Sequence, residues 1–164
     1  MATKTYDRIS AVMYAKKWAL SRNPKYYNFD HVGGDCTSFV SQCLYAGSKV
    51  MNYTPITGWY YRSGFDKSPS WSGVEFLYNF LVNNKEIGPR GSLVSQNEVQ
   101  LGDIAQLSFN GINFEHSLFI IDINNINDIN KVYIATHTYD ALHKSIGEYQ
   151  FSKIRFIHIK NVGI

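Results

Sequence analysis

The hydrophobic period of the chain changes near Gly102-Asp103, and that change restricts the possible folds more than any other feature. Upstream, apolar residues recur at helical spacing. Tyr6 to Leu20 reads as a helix with Ile9, Val12, Met13, Ala15, Ala19 and Leu20 near one face. Arg22-Asn23-Pro24 ends it, since the residue before a proline avoids helical dihedrals. A second helix is expected from about Cys36 to Ala46, stopped by Gly47. A third is expected from a Ser72 cap to about Val82, with Glu75 completing a capping-box pattern. Gly88-Pro89-Arg90-Gly91 reads as a turn. Downstream, Ile104–Phe109 and Phe114–Ile123 flank Asn110-Gly111, a strong hairpin signal, and Lys131–Thr138 and Ile154–Ile159 read as two more strands. The 114–123 stretch is apolar on both faces, so it belongs at the centre of its sheet. Helices first and an antiparallel sheet afterwards predict an α+β domain.

With 164 residues, the chain suits one domain spanning 1–164. The net charge of +3 is mild and no run of five basic residues exists, so nucleic acid is not an expected partner. No stretch approaches the roughly 18 apolar residues of a membrane span, so no transmembrane segment is expected. The segment Met1–Asp7 has no apolar core of a signal peptide. The expectation is therefore a cell-wall or secreted location as a domain of a longer chain, with a cytosolic location as the alternative. Cys36 and Cys43 are seven residues apart; on one helix that is a rise of roughly 10 Å, too far for a disulfide. Both should be free thiols.

Cys36 follows Gly33-Gly34-Asp35 and opens an apolar helical run. A cysteine on a first helical turn faces unpaired N–H groups and the positive end of the dipole, which favour thiolate. A buried structural cysteine is the plainer reading of such a residue, and the one assigned to Cys43. A nucleophile needs a base, and His116, near the start of the central strand, is best placed. A third group should orient the imidazole; Ala135-Thr136-His137-Thr138-Tyr139-Asp140 offers His137 and Asp140. His31, His143 and His158 read as surface or packing residues. The aromatic segment 53–71, with Trp59, Tyr60 and Trp71, either walls a substrate cleft or pins a long loop to the core. No metal site is expected: Asp122–Asp128 resembles a calcium loop only superficially, with Ile126 at a ligand position. No phosphate-binding loop is present, and no cofactor is expected.

Gly-Gly-Asp-Cys36-Thr-Ser-Phe-Val, then an apolar helix, then Leu101-Gly102-Asp103-Ile104, then His116-Ser-Leu-Phe-Ile-Ile resembles NlpC-type cysteine peptidases of the papain-like superfamily. The resemblance is closer still to the putative amidase domain family within that group. It extends through Arg22-Asn23-Pro24, Tyr27-Asn28-Phe29-Asp30, Phe39-Val40-Ser41-Gln42, Gly58-Trp59-Tyr60-Tyr61, Ser70-Trp71, Phe76-Leu77 and His137-Thr138-Tyr139-Asp140. Ser38 departs from the family's Asn at that position. The resemblance implies a helix-borne Cys36 packed on an antiparallel sheet, a strand-borne His116 and a polar third member on the next strand. His137 fits if 124–130 is an insertion, with Asp140 in contention as third member or substrate contact. It also implies that Asp35 can meet a substrate amine as well as cap its helix, and substrate contacts at Trp59, Tyr60 and Trp71 go with it.

The implied activity is a cysteine amidase or peptidase acting through a thioester on bacterial cell-wall peptidoglycan, at a muramoyl–alanine amide or a stem-peptide bond. The alternatives are a non-catalytic cell-wall-binding module and a cytosolic or toxin-type amide hydrolase on the same scaffold.

Overall fold

A computed structural model describes all of residues 1–164. The chain enters as a short strand, β1 (Thr3–Lys4), and turns into α1 (Arg8–Trp18) at Asp7, whose carboxylate accepts the Ser10 N–H at 3.0 Å. The buried face of α1 is Ala11, Val12 and Ala15, followed by Ala19, whereas the expected face residues Ile9, Met13 and Leu20 are exposed. The reason is a close crossing with α2 (Cys36–Ser48), which only small side chains permit. Gly47 belongs to that crossing and does not stop the helix. A Cβ on Gly47 would lie 2.5 Å from a Tyr6 ring carbon and 3.1 Å from the Ala11 Cβ. Lys49, with φ 61°, supplies the left-handed cap instead.

Every residue of α2 except Tyr45 is buried, so this helix is the axis of the domain. Beyond it come a two-stranded ribbon, β2 (Tyr61–Ser63) and β3 (Asp66–Lys67), and two consecutive helices, α3 (Pro69–Ser72) and α4 (Val74–Asn83). The capping box expected at Ser72 does not form. Ser72 is the last residue of α3, Gly73 caps α4, and Glu75 reaches outward to Arg155 at 2.8 Å.

A seven-stranded sheet follows, containing β1 with β4 (Gly88–Val94), β5 (Ile104–Ser108), β6 (His116–Ile123), β7 (Val132–Thr136), β8 (Ala141–Ser145) and β9 (Lys153–Gly163). Its order is β1-β9-β5-β6-β7-β8, with β4 also on β9, and every pairing is antiparallel. The turn expected at Gly88–Gly91 is therefore the start of a strand. A bulge between Arg90 and Gly91 accommodates the turn-forming residues against β9. Asn110-Gly111 does not make a two-residue hairpin either. The Asn110 side-chain oxygen accepts the Ile112 and Asn113 N–H groups at 2.8 and 2.9 Å, closing a wider Asx-type loop between β5 and β6.

The central strand β6 is apolar on both faces, as the sequence implies. Phe119 and Ile121 join the core under α1, α2 and α4, while Leu118 and Ile120 join a smaller core with Leu107, Ile134, Ile146 and Phe156. The expected α+β architecture of helices on an antiparallel sheet is thus present. At the far edge of the molecule the Ile164 N–H donates to the Ala2 carbonyl at 3.0 Å, beside the β1–β9 pairing.

Candidate active site

Cys36 is the first residue of α2, and the turn before it depends on two glycines in the left-handed region, Gly33 (φ 84°) and Gly34 (φ 95°). The turn is fastened from β7's far end: the Asp35 N–H donates to the Thr138 Oγ1 at 2.8 Å. Thr138 and Tyr139 both have φ 59° and join β7 to β8 without any glycine, which leaves a β-branched residue in a costly conformation beside the turn that carries Cys36.

The N-terminus of α2 abuts β6. Thr37 Oγ1 lies 2.9 Å from Ser117 Oγ, and the Ser117 backbone N–H faces the Cys36 sulfur. Cys36 thus reaches the strand next to His116, and both are nearly buried, with 6% and 8% of their surfaces exposed. No hydrogen bond joins the sulfur to the imidazole. The sulfur lies 3.8 Å from Thr37 Oγ1, and His116 Nε2 lies 3.5 Å from Thr136 Oγ1. Around the imidazole stand Phe109 and Tyr149, with ring centroids 6.4 and 5.9 Å away.

The electrostatics differ from the expected activated thiolate. Burial pushes the Cys36 thiol up; the N–H groups of Ser117 and Thr37 and the Thr37 hydroxyl pull it down by less, and Asp35 adds to the rise. The helix terminus acts in the expected direction, but desolvation is larger. Burial, helped by the Lys144 charge, lowers His116 to about 4. At neutral pH the pair therefore rests as thiol and neutral imidazole, with a ring lone pair free to take a proton.

His137 does not reach His116. Its Nδ1 lies 2.6 Å from the Asp35 carboxylate and its Nε2 2.7 Å from the Trp18 carbonyl, and its ring stacks on Phe39 at 4.1 Å. Both nitrogens are taken, so the hydrogen bond expected from His137 to the base is absent and Thr136 stands in that place. Asp140 is likewise engaged elsewhere, in a bidentate pair with Arg22 at 2.8 and 2.9 Å. Arg22 also pairs with Asp30 at 2.8 Å and lies 3.5 Å from Asp35. Asp35 has no exposed surface, accepts the Phe29 N–H at 2.8 Å and makes no side-chain cap of α2. Asp35 is thus the N-cap residue by position, but its carboxylate turns to His137 and Arg22 and does not make the expected cap bond. The motif residues Arg22, Asp30, Asp35, His137 and Asp140 form one ionic cluster behind the Gly33–Cys36 turn.

The aromatic segment divides the same way. Trp59 and Trp71 are fully buried and stack on each other at 5.1 Å, so they pin the long loop to the core and do not line a cleft. Tyr60 is half-buried under the Arg62 guanidinium, 5.0 Å from its ring. His143 on β8 pairs with Asp122 on β6, His158 pairs with the buried Asp103, and His31 is exposed. A cavity of about 560 Å³ is lined by Asn52, Ile56, Phe76, Asn79 and Asn83 among others and includes neither Cys36 nor His116.

Residues at the site that the sequence reading passed over are Thr136, Tyr149, Ser117 and Gln106. Pairing arithmetic carried a signal for the first. Phe119 opposes Ala135, which sets Thr136 one position along β7 toward His116. Nothing local marks Tyr149, which arrives from a 3-10 turn at Ile146–Glu148.

The profile of the family described as "Putative amidase domain" matches residues 5–159. The chain is 37% identical over 120 residues to the "Uncharacterized protein YhbB" of Bacillus subtilis (strain 168), a match covering 71% of this chain and 37% of that protein. The chain thus spans well under half the length of that relative. No solved structure matches. No helix is long and apolar enough to cross a membrane.

Proposed function

The chain belongs to the putative amidase domain family, and from that premise we propose that it is a cysteine-dependent amide hydrolase of papain-like, NlpC-type architecture acting on bacterial peptidoglycan. The observation that carries the reading is the meeting of the Cys36 thiol, at the first position of α2, with the start of β6 at His116-Ser117. Neutral His116 takes the thiol proton as Cys36 Sγ attacks the amide carbon, so charge separates only as the bond forms. The proton then goes to the departing amine, leaving a thioester on Cys36. Water, deprotonated by the same imidazole, attacks the thioester carbonyl, releases the carboxylate and restores the thiol.

The Cys36 N–H, at the open end of α2, is one donor to the oxyanion. Thr136 steadies the imidazole at Nε2. The Arg22–Asp35–His137 cluster holds the turn that presents the sulfur. Peptidoglycan as substrate rests on the likeness to cell-wall hydrolases described above; the bond is a muramoyl–alanine amide or a stem-peptide amide. The test is turbidity loss of purified cell walls with mass spectrometry of the released fragments. Wild type should release fragments with a new amine and a new carboxylate, and Cys36→Ala should retain less than ~1% of that rate. Retained turnover in Cys36→Ala would refute the covalent mechanism.

A further inference from the structure

Behind the Cys36 sulfur runs a chain of buried polar groups that the catalytic steps leave unused. Arg155 on β9 opposes Gln106 on β5 and donates to Gln106 Oε1 from Nε at 2.9 Å and from a terminal nitrogen at 2.7 Å. Gln106 Nε2 in turn lies 3.0 Å from the Val74 carbonyl and 3.2 Å from Ser117 Oγ. Ser117 Oγ lies 2.9 Å from Thr37 Oγ1, which lies 3.8 Å from Cys36 Sγ. Gln106, Ser117 and Thr37 have almost no exposed surface, so water does not compete for these groups.

The start of the chain has a fixed direction. A guanidinium has only donors, so Arg155 forces the Gln106 oxygen toward itself, and the Val74 carbonyl, only an acceptor, independently fixes the amide nitrogen on the other side. The nitrogen must then donate to Ser117 Oγ. With one lone pair of that oxygen taken, Ser117 is free to donate its hydrogen to Thr37 Oγ1, and Thr37 can then turn its own hydrogen to the sulfur. The start of the chain is itself rigid. The Arg155 guanidinium sits 3.7 Å from the Tyr78 ring centroid and 4.0 Å from that of Phe114, and it pairs with Glu75 at 2.8 Å.

Resting on the reading of Cys36 as nucleophile, we infer that this directed wire holds the Thr37 hydroxyl hydrogen on the Cys36 sulfur. Thr37 thereby stabilises the thiolate that forms in the reaction, with Gln106 and Arg155 as positioning residues. The other charged or titratable groups facing the sulfur do not supply that role. The Asp35 carboxylate is turned to His137 and Arg22, His116 from β6 is neutral at working pH, and Tyr149 is covered by Lys144, whose ammonium lies 4.2 Å from its ring. The wire thus partly offsets the desolvation that raises the thiol.

The test is the pH profile of Cys36 alkylation by iodoacetamide in the full chain, read by mass spectrometry of the Cys36 peptide and needing no turnover. Thr37→Val should raise the midpoint by about one pH unit and slow labelling near neutrality ~10-fold, leaving the high-pH plateau unchanged. Thr37→Ser, which keeps the hydroxyl, should stay within about 2-fold of wild type, and Gln106→Met, which only frees the wire to turn, should slow labelling ~3-fold. If Thr37→Val does not fold, Thr37→Ala and Gln106→Met read the same quantity. A folded Thr37→Val or Thr37→Ala with the wild-type midpoint, or a Thr37→Ser as slow as Thr37→Val, overturns the inference. Turnover by Cys36→Ala separates the two failures. Its persistence removes the nucleophile reading, whereas its loss alongside an unmoved alkylation profile removes only the wire.

Discussion

Replacing Asp35 by alanine should be among the most damaging single changes in the chain. Its carboxylate has no exposed surface, accepts the Phe29 N–H at 2.8 Å, meets His137 Nδ1 at 2.6 Å and lies 3.5 Å from the Arg22 Nε. Arg22 Nε has no other partner. Alanine would leave an amide, an imidazole and a guanidinium edge unpaired in a dry interior. Each buried donor left without its partner costs about 1–3 kcal/mol, and with three of them affected the total is expected at about 3–5 kcal/mol. For a domain of this size each kcal/mol moves Tm by about 2–4 °C, so the expected loss is roughly 6–20 °C. Asp35→Asn keeps an acceptor for the Phe29 N–H and should cost about half as much. Urea unfolding is the assay, and Trp59 and Trp71, both fully buried, supply a fluorescence signal. A double-mutant cycle with His137→Ala should give a coupling of about 1–3 kcal/mol. A loss under about 1 kcal/mol for Asp35→Ala, or additive single effects, would refute the view that this cluster fastens the nucleophile turn.

Because burial lowers His116 to about 4 from an ordinary 6.5, the acid limb of kcat/KM should fall near 4, and a limb near 6.5 would contradict a desolvated base. The same shift makes stability pH-dependent. Between these values the unfolded chain binds a proton that the folded one refuses, so stability drops as pH falls through the window, by up to ~3 kcal/mol, and His116→Asn should flatten that slope. Gly47→Ala should lower stability by about 1–3 kcal/mol in urea titration, since its Cβ would meet the Tyr6 ring at 2.5 Å and the Asp7 carbonyl at 2.7 Å; no loss would mean that α1 and α2 cross more loosely. Cys43, fully buried with its thiol pushed well up, should resist iodoacetamide in the native state while Cys36 labels, and equal rates would reverse the assignment.

The architecture was legible because periodicity reports burial. The two-sided apolar run of β6 and the amphipathic stretches before Gly102 each carried their own signal. Turn chemistry proved less decisive, since glycine has several uses. Gly47 serves a helix crossing and Gly91 a bulged strand, although both sit in patterns that usually mean chain reversal. Cys36 and His116 could be singled out because each stands at an element terminus beside marked residues. The roles of Asp35, His137 and Asp140 could not be separated in the same way. All three are polar and flank the site in sequence, and only side-chain direction tells an ionic clamp from an orienting group. Trp59 and Trp71 were open to either reading until burial was known, because an aromatic loop looks the same whether it faces solvent or core.

The pairing of β1 with the last residues of β9, closed by the bond from Ile164 to Ala2, makes the backbone nearly a ring. Residues 2–4 and 162–164 lie side by side on one edge of the sheet, so chain joined there would leave the interior unstretched. Cys36, His116 and Thr136 lie on α2, β6 and β7, none of which pairs with β1, so that edge and the candidate site are mechanically independent. The ring should also tolerate re-cutting. A circular permutant with the old ends bridged by a short flexible linker, and new ends opened in the exposed 109–113 loop, would inherit the same sheet order with the chain read from a different starting point.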